Sequence, residues 1–172
     1  MSSPARRSLR TAIAALALAA VIPLAGCTAI LEQFMPKPQA ERDDTTQEVV
    51  EEGNLDVFTL RVGDCLSSVD EGEVSEVPVV PCDQPHDDEV YGTHQLTGDE
   101  FPGEDQIQQL SDEGCLAQFE AFAGIAYDVS TLDFYSYRPT QQSWEQLDDR
   151  EVACVIYDPA GPVTGTLQGA AY

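Results

Sequence analysis

The densest set of groups able to do chemistry is the run Asp83-Gln84-Pro85-His86-Asp87-Asp88-Glu89. An imidazole among carboxylates is a donor set that divalent cations use. Asp87 and Asp88, however, are neighbours in a predicted strand, where successive side chains leave opposite faces and do not converge on one ion. The run is better explained as a strand entry at which His86 hydrogen-bonds the backbone beside a disulfide, so no metal and no cofactor is assigned. His86 and His94 are the only histidine bases. No serine lies in a Gly-x-Ser-x-Gly elbow, no phosphate-binding glycine loop is visible, and among 31 acidic residues no carboxylate pair stands out as a glycosidase pair. No catalytic residue follows, and a non-enzymatic protein is expected. For recognition the candidates are Tyr135, Tyr137 and Trp144, with Arg138 beside them and His86 as a weaker fourth, because aromatics and arginine form interface hot spots and aromatic faces stack on sugars. Tyr135 and Tyr137 share one face of a predicted strand, whereas Trp144 is expected to plug one end of the core.

Cysteine is the other reactive type. Cys27 directly follows Leu24-Ala25-Gly26, at the end of an apolar run that begins at Thr11 behind Arg6, Arg7 and Arg10. Cationic start, apolar middle and small residues before a cut are the three parts of a secretory signal, and a cysteine just after the cut resembles a bacterial lipoprotein lipobox. The run is about 15 residues and holds Pro23, against about 20 for a spanning helix. Residues 1–26 are therefore expected to be a signal peptide. Lipidation (palmitate and related acyl groups) is expected at Cys27, leaving the protein anchored to the cell membrane on its extracytoplasmic face. Arg6-Arg7 does not decide between general and twin-arginine export.

Disulfides persist outside the cytoplasm, and Cys65, Cys82, Cys115 and Cys154 form an even set with three possible pairings. Two short runs of similar length each end at a cysteine, which favours Cys65–Cys82. Cys115 lies on the apolar stripe of a predicted helix and Cys154 on the aliphatic face of a predicted strand, which favours Cys115–Cys154. By loop-closure entropy the two bridges stabilise the fold by about 3 and about 4 kcal/mol.

All 31 acidic residues follow the expected cut and only five basic residues do, which leaves 26 net negative charges. Nucleic acid is excluded as a partner, since its binders need lysine and arginine. An anionic bilayer is repelled as well, so membrane contact is assigned to the lipid, and the remaining partner is an envelope protein or a wall polymer. From Thr28 to about Asn54 the chain is rich in Glu, Gln, Asp, Pro and Thr without apolar periodicity, so residues 27–54 are expected to be a lipid anchor with a disordered acidic tether. Residues 55–172 are expected to be one extracytoplasmic domain.

The elements that must position these groups follow from periodicity. Strands are predicted at Val57–Val62, at Val77–Cys82 (its two prolines suiting an edge), at Glu89–Leu96, at Leu132–Arg138 and at Arg150–Tyr157, with a last edge strand at Val163–Leu167. A helix is predicted over Glu104–Phe122, with Ile107, Leu110, Cys115, Phe119 and Phe122 on one stripe, and a turn or short helix holds Ser143 and Trp144. This order makes an α+β fold: a small, mostly antiparallel sheet with one main helix on one face and two disulfides.

Two stretches resemble the septum formation family of actinobacterial envelope proteins. One is Val80-Pro81-Cys82-Asp83-Gln84-Pro85-His86-Asp87-Asp88-Glu89-Val90-Tyr91-Gly92; the other runs from Pro139-Thr140-Gln141-Gln142-Ser143-Trp144 through Asp149-Arg150-Glu151-Val152-Ala153-Cys154. The likeness covers roughly residues 57–168 and closes on Thr164-Gly165-Thr166-Leu167. Leu147-Asp148 stands where the family pattern would have a glycine just before the Asp-Arg pair. The resemblance implies a part in division or wall growth and carries no activity with it. The expected function is a non-catalytic binding or scaffolding module of the envelope; the alternative is an envelope enzyme or ligand-capture lipoprotein acting on peptidoglycan or another wall glycan.

Overall fold

Gly103 and Gly124 bracket a long helix, α1 (Glu104–Ala123). Glu104 and Asp105 sit in its first turn, where the helix dipole favours acids, and Gly124 ends it in the left-handed conformation (φ 79°) that glycine adopts without steric cost. The apolar stripe is buried as its spacing requires, through Ile107, Cys115, Phe119 and Phe122. Between Ile107 and Cys115 the innermost residue is Ser111, with Leu110 only half-buried.

The computed structural model describes residues 38–68 and 74–172. The expected signal peptide, Cys27, the first part of the tether and the acidic positions Asp70, Glu71 and Glu73 lie outside the described residues. Beneath α1 runs a six-stranded antiparallel sheet in the order β3-β5-β4-β6-β8-β7. The strands are β3 (Gly53–Asp56), β4 (Cys65–Leu66), β5 (Glu76–Val80), β6 (Asp88–Gln95), β7 (Asp133–Tyr137) and β8 (Glu151–Tyr157), with the short α2 (Gln141–Gln146) between β7 and β8. Among the described residues no helix is long and apolar enough to cross a membrane.

The α+β architecture and both disulfides agree with the sequence. Cys65–Cys82 and Cys115–Cys154 are bonded across Cα separations of 5.3 and 5.4 Å, the second pinning α1 to β8. Gly114 lets helix and sheet approach this closely, since a Cβ there would run into the His94 ring on β6. A bulge in β6 makes Tyr91 the extra residue between the pairs Val90–Val155 and Gly92–Cys154. Tyr91 therefore faces the helix and donates its hydroxyl to the Cys115 carbonyl (2.9 Å), while Val90 packs on the opposite face.

That opposite face is where sequence and structure part. Val152 to Ile156 of β8 is buried at every residue, so both sides of the strand are covered. Leu66, Val77, Val79, Val90 and Val155 form a second cluster with Val49 and Leu60. The segment expected to be tether is thus folded from residue 38 onward, with β1 (Glu41–Arg42) and β2 (Val49–Glu51) forming a hairpin. Its weak apolar pattern concealed this because polar contacts hold it. Arg42 makes a two-pronged pair with the buried Asp64 (2.5 and 2.7 Å), and Pro38–Ala40 bonds along Asn54 at the edge of β3.

Three further expectations are corrected. Val57–Val62 is not a strand: the Asp56 carboxylate accepts from the Phe58 amide (2.9 Å) and turns Val57–Thr59 into a 3-10 helix, a local side-chain bond that competes with the sheet ladder. β5 is an inner strand despite Pro78, because the two-residue β4 ends at Leu66 and the missing N–H falls just past it. Val163–Leu167 contributes one isolated bridge, Val163 to His86, and no strand.

Removing one partner of a well-buried ion pair leaves the other desolvated and unpaired. Arg42→Ala is therefore expected to lower unfolding free energy by about 2 kcal/mol in urea titration, an effect a loose tether would not produce.

Candidate functional site

The polar residues that stood out in the sequence are largely consumed inside the fold. His86 is 1% exposed and exchanges backbone bonds with Val163 (2.9 and 2.8 Å). Its Nδ1 lies 2.8 Å from the Gln84 carbonyl, which can only accept, so Nδ1 is the donor of this bond. Glu89, equally buried, accepts from the Thr166 hydroxyl and the Leu167 amide, both at 2.6 Å, and Gly165 donates to the Cys82 carbonyl at 2.7 Å. The first conspicuous stretch is thus a clamp on the C-terminal segment 163–167. Cys65, His86 and Glu89 converge, as do His94, Cys115 and Cys154, but each trio contains sulfur already spent in a disulfide, which offers no thiolate to a cation.

The second stretch is a helix-and-lid unit. Thr140 and Ser143 cap α2 reciprocally (3.1 and 3.0 Å), and the Ser143 hydroxyl donates to Asp149 (2.8 Å). Trp144 is 2% exposed, with the Arg150 guanidinium 3.6 Å above its ring, and Arg150 also donates to the carbonyls of Trp144 (3.0 Å) and Gly98 (3.1 Å). Trp144 and His86 are therefore withdrawn as binding candidates: no free face of either ring meets solvent. Asp148, standing at the expected glycine, has φ 55°, the left-handed conformation a glycine would take and aspartate tolerates.

Tyr135 and Tyr137 remain available. They project from β7 onto the face away from α1, ring centroids 5.5 Å apart and hydroxyls 3.4 Å apart. With Asp88, Ala153 and Tyr157 they floor a groove of about 1280 Å³, whose rims carry Phe58 (51% exposed) and Leu147 (65% exposed). On the helix side of β7 lies a second cleft of about 780 Å³, lined by Asp105, Asp112 and Glu113 of α1 and by Phe134, Ser136 and Arg138. β7 is thus the wall shared by two concavities.

Sequence reasoning placed Asp88 in a cluster but did not isolate it. Its period-2 partner Val90 already puts it on the face opposite Glu89, which is the signal that separates the two. Burial raises the Asp88 carboxyl to about 6, a hydrogen bond with Tyr135 pulls it back, and the Asp87 charge raises it and the His86 charge lowers it. Burial likewise raises the Tyr135 and Tyr137 hydroxyls, so both stay protonated donors at neutral pH. Such a floor can stack a flat apolar or sugar face and offer one carboxyl that is half-charged near pH 6.

A carboxyl titrating higher when folded stabilises the fold while protonated: its contribution is complete below the unfolded value near 4 and is lost as pH rises through 6. Asp88→Asn should therefore be more stable than the parent at pH 7 by roughly 1–2 kcal/mol, the gap closing toward pH 4 in thermal melts. At position 148, glycine should lie within about 0.5 kcal/mol of the parent in urea titration, whereas valine, disfavoured at positive φ, should cost about 1–2 kcal/mol.

Comparison with characterised proteins and with solved structures returns no match. A family model described as septum formation does match, over residues 62–168, a span that holds the 163–167 clamp, the Trp144–Arg150 stack, both disulfides and β7. The chain belongs to the septum formation family.

Proposed function

We propose that this protein is a lipid-anchored, non-catalytic recognition module on the extracytoplasmic face of the cell membrane, serving septum formation by holding an envelope protein or wall polymer against β7. The observation that carries the reading is a division of labour. Glu89, Ser143 and Trp144, conspicuous in the family-like stretches, are buried and bonded within the fold, while Tyr135, Tyr137 and the apolar rims at Phe58 and Leu147 line a groove open to solvent. Aromatic floors bounded by isolated apolar residues suit hot-spot contacts. The acidic surface gives solubility, and the lipid expected at Cys27 supplies the membrane contact that such a charge denies the domain.

A photo-crosslinking residue at Phe58 or Leu147 in living cells should yield discrete adducts that the same residue at exposed Val129, outside both concavities, does not; a uniform smear from all three sites would end the reading. Cys27→Ser should release the protein from membranes, and intact mass should show acyl groups on the parent only.

A second reading, an envelope enzyme acting on a wall glycan, is favoured by one feature: Asp88 titrates near 6 beside the Tyr135 hydroxyl, suiting a general acid. Loss of glycan turnover in Asp88→Asn with crosslinks unchanged would support it.

A further inference from the structure

We infer that β7 captures an extended basic polypeptide segment as a seventh strand of the sheet, an inference that rests on β7 being the recognition surface. The two margins of the sheet are treated differently. At β3 the margin is covered: Pro38–Ala40 bonds along Asn54 (2.8 and 3.2 Å), and Gly53 lacks the Cβ that would strike the Ala40 backbone. At β7 the only strand partner among the described residues is β8. Sheets commonly protect such a margin, because its free N–H and C=O groups template another strand. The Phe134 amide turns aside to the Asp133 carboxylate (2.8 Å) instead of toward β8. By the alternation of an antiparallel ladder, Phe134 and Ser136 turn their backbone groups away from β8, and with the Phe134 amide taken by Asp133 the groups left for another strand are the two carbonyls and the Ser136 amide.

The clefts on either side of this margin say what the seventh strand must carry. Alternate side chains of an added strand fall alternately on the helix side and on the tyrosine side. On the helix side they meet Asp105, Asp112 and Glu113 and the Ser136 hydroxyl, which is nine-tenths buried without a hydrogen-bond partner. Asp105 and Asp112 are about 10 Å apart along the helix axis at 1.5 Å per residue, and side chains two residues apart in a strand are separated by about 7 Å. Two or three lysines or arginines at alternate positions therefore span these carboxylates, while the intervening residues lie over Tyr135 and Tyr137. A second copy of this chain is disfavoured as the occupant, since pairing β7 with β7 would bring α1's acids toward their own counterparts. Arg138 stands at the strand's exit and marks where the basic stretch of the partner ends.

The test uses the full-length protein and a fluorescent seven-residue peptide, Thr-Lys-Val-Lys-Val-Lys-Thr, with two relatives: one N-methylated at the central lysine and at both valines, so that an N–H facing β7 is lost whichever way the added strand runs, and one with glutamate for each lysine. The lysine peptide should bind in anisotropy titration and slow amide hydrogen exchange within 133–138. N-methylation and the double variant Asp112→Lys, Glu113→Lys should each weaken it at least tenfold, and the glutamate peptide should not bind. Equal affinity for the N-methylated peptide, protection confined to another segment, or a doubling of mass that masks 133–138 each overturns the inference. If the Phe58 and Leu147 crosslinks persist while no peptide binds, strand capture falls and the recognition reading stands; if both are absent, both fall.

Discussion

A six-stranded sheet with apolar residues on both faces, and among the described residues only one long helix to cover it, is the constraint from which the rest of this structure follows. β8 concentrates the problem, since every residue from Val152 to Ile156 is buried. α1 covers one face and is tied down by Cys115–Cys154 and by Tyr91 reaching its backbone. On the other face Val49 and Leu60 cover the β4-β5-β6 half, through a segment anchored by the Arg42–Asp64 pair. Coverage runs out toward β7. The groove, its half-buried tyrosines and the open sheet margin are one consequence of that shortage.

A strongly acidic chain keeps its few cations for places where they do structural work. Arg42 neutralises a buried aspartate, and Arg150 closes the Trp144 end of the core while satisfying loop carbonyls. A buried polar group is tolerated where it is bonded: Glu89 accepts two short hydrogen bonds from the C-terminal segment. At Asp88 burial outweighs the one hydrogen bond with Tyr135, and the carboxyl holds its proton to about pH 6. The contrast between adjacent carboxylates on β6 arises from the strand's alternation, which sends one into a bonded interior and the other to the floor of a groove.

Much of this was legible from residue order. α1, β6, β7 and β8 emerge from period and length, Cys65–Cys82 from two runs of similar length that each end at a cysteine, and Cys115–Cys154 from the apolar faces on which both residues lie. The likeness to the septum formation family followed from two short stretches, and a family model matches residues 62–168. Tyr135 and Tyr137 were identified as same-face aromatics on a strand, which is where they stand. The hairpin at 41–51 was not legible because its cohesion comes from one long-range ion pair and from edge bonds, which leave no periodic trace. The strand expected at Val57–Val62 failed because one local hydrogen bond, from the Phe58 amide to the Asp56 carboxylate, outweighs an alternating pattern.

By itself the sequence determined the fold class, the covalent framework and the sign of the surface, because period, cysteine placement and net charge are properties of residue order. Only the tertiary structure decided which conspicuous residues are free. His86 and Glu89 are absorbed by a segment 77 or 78 positions away and Trp144 by a folded-back arginine, and such contacts are set by packing. Which margin of the sheet stays open was likewise decided by what the folded chain had left to cover it.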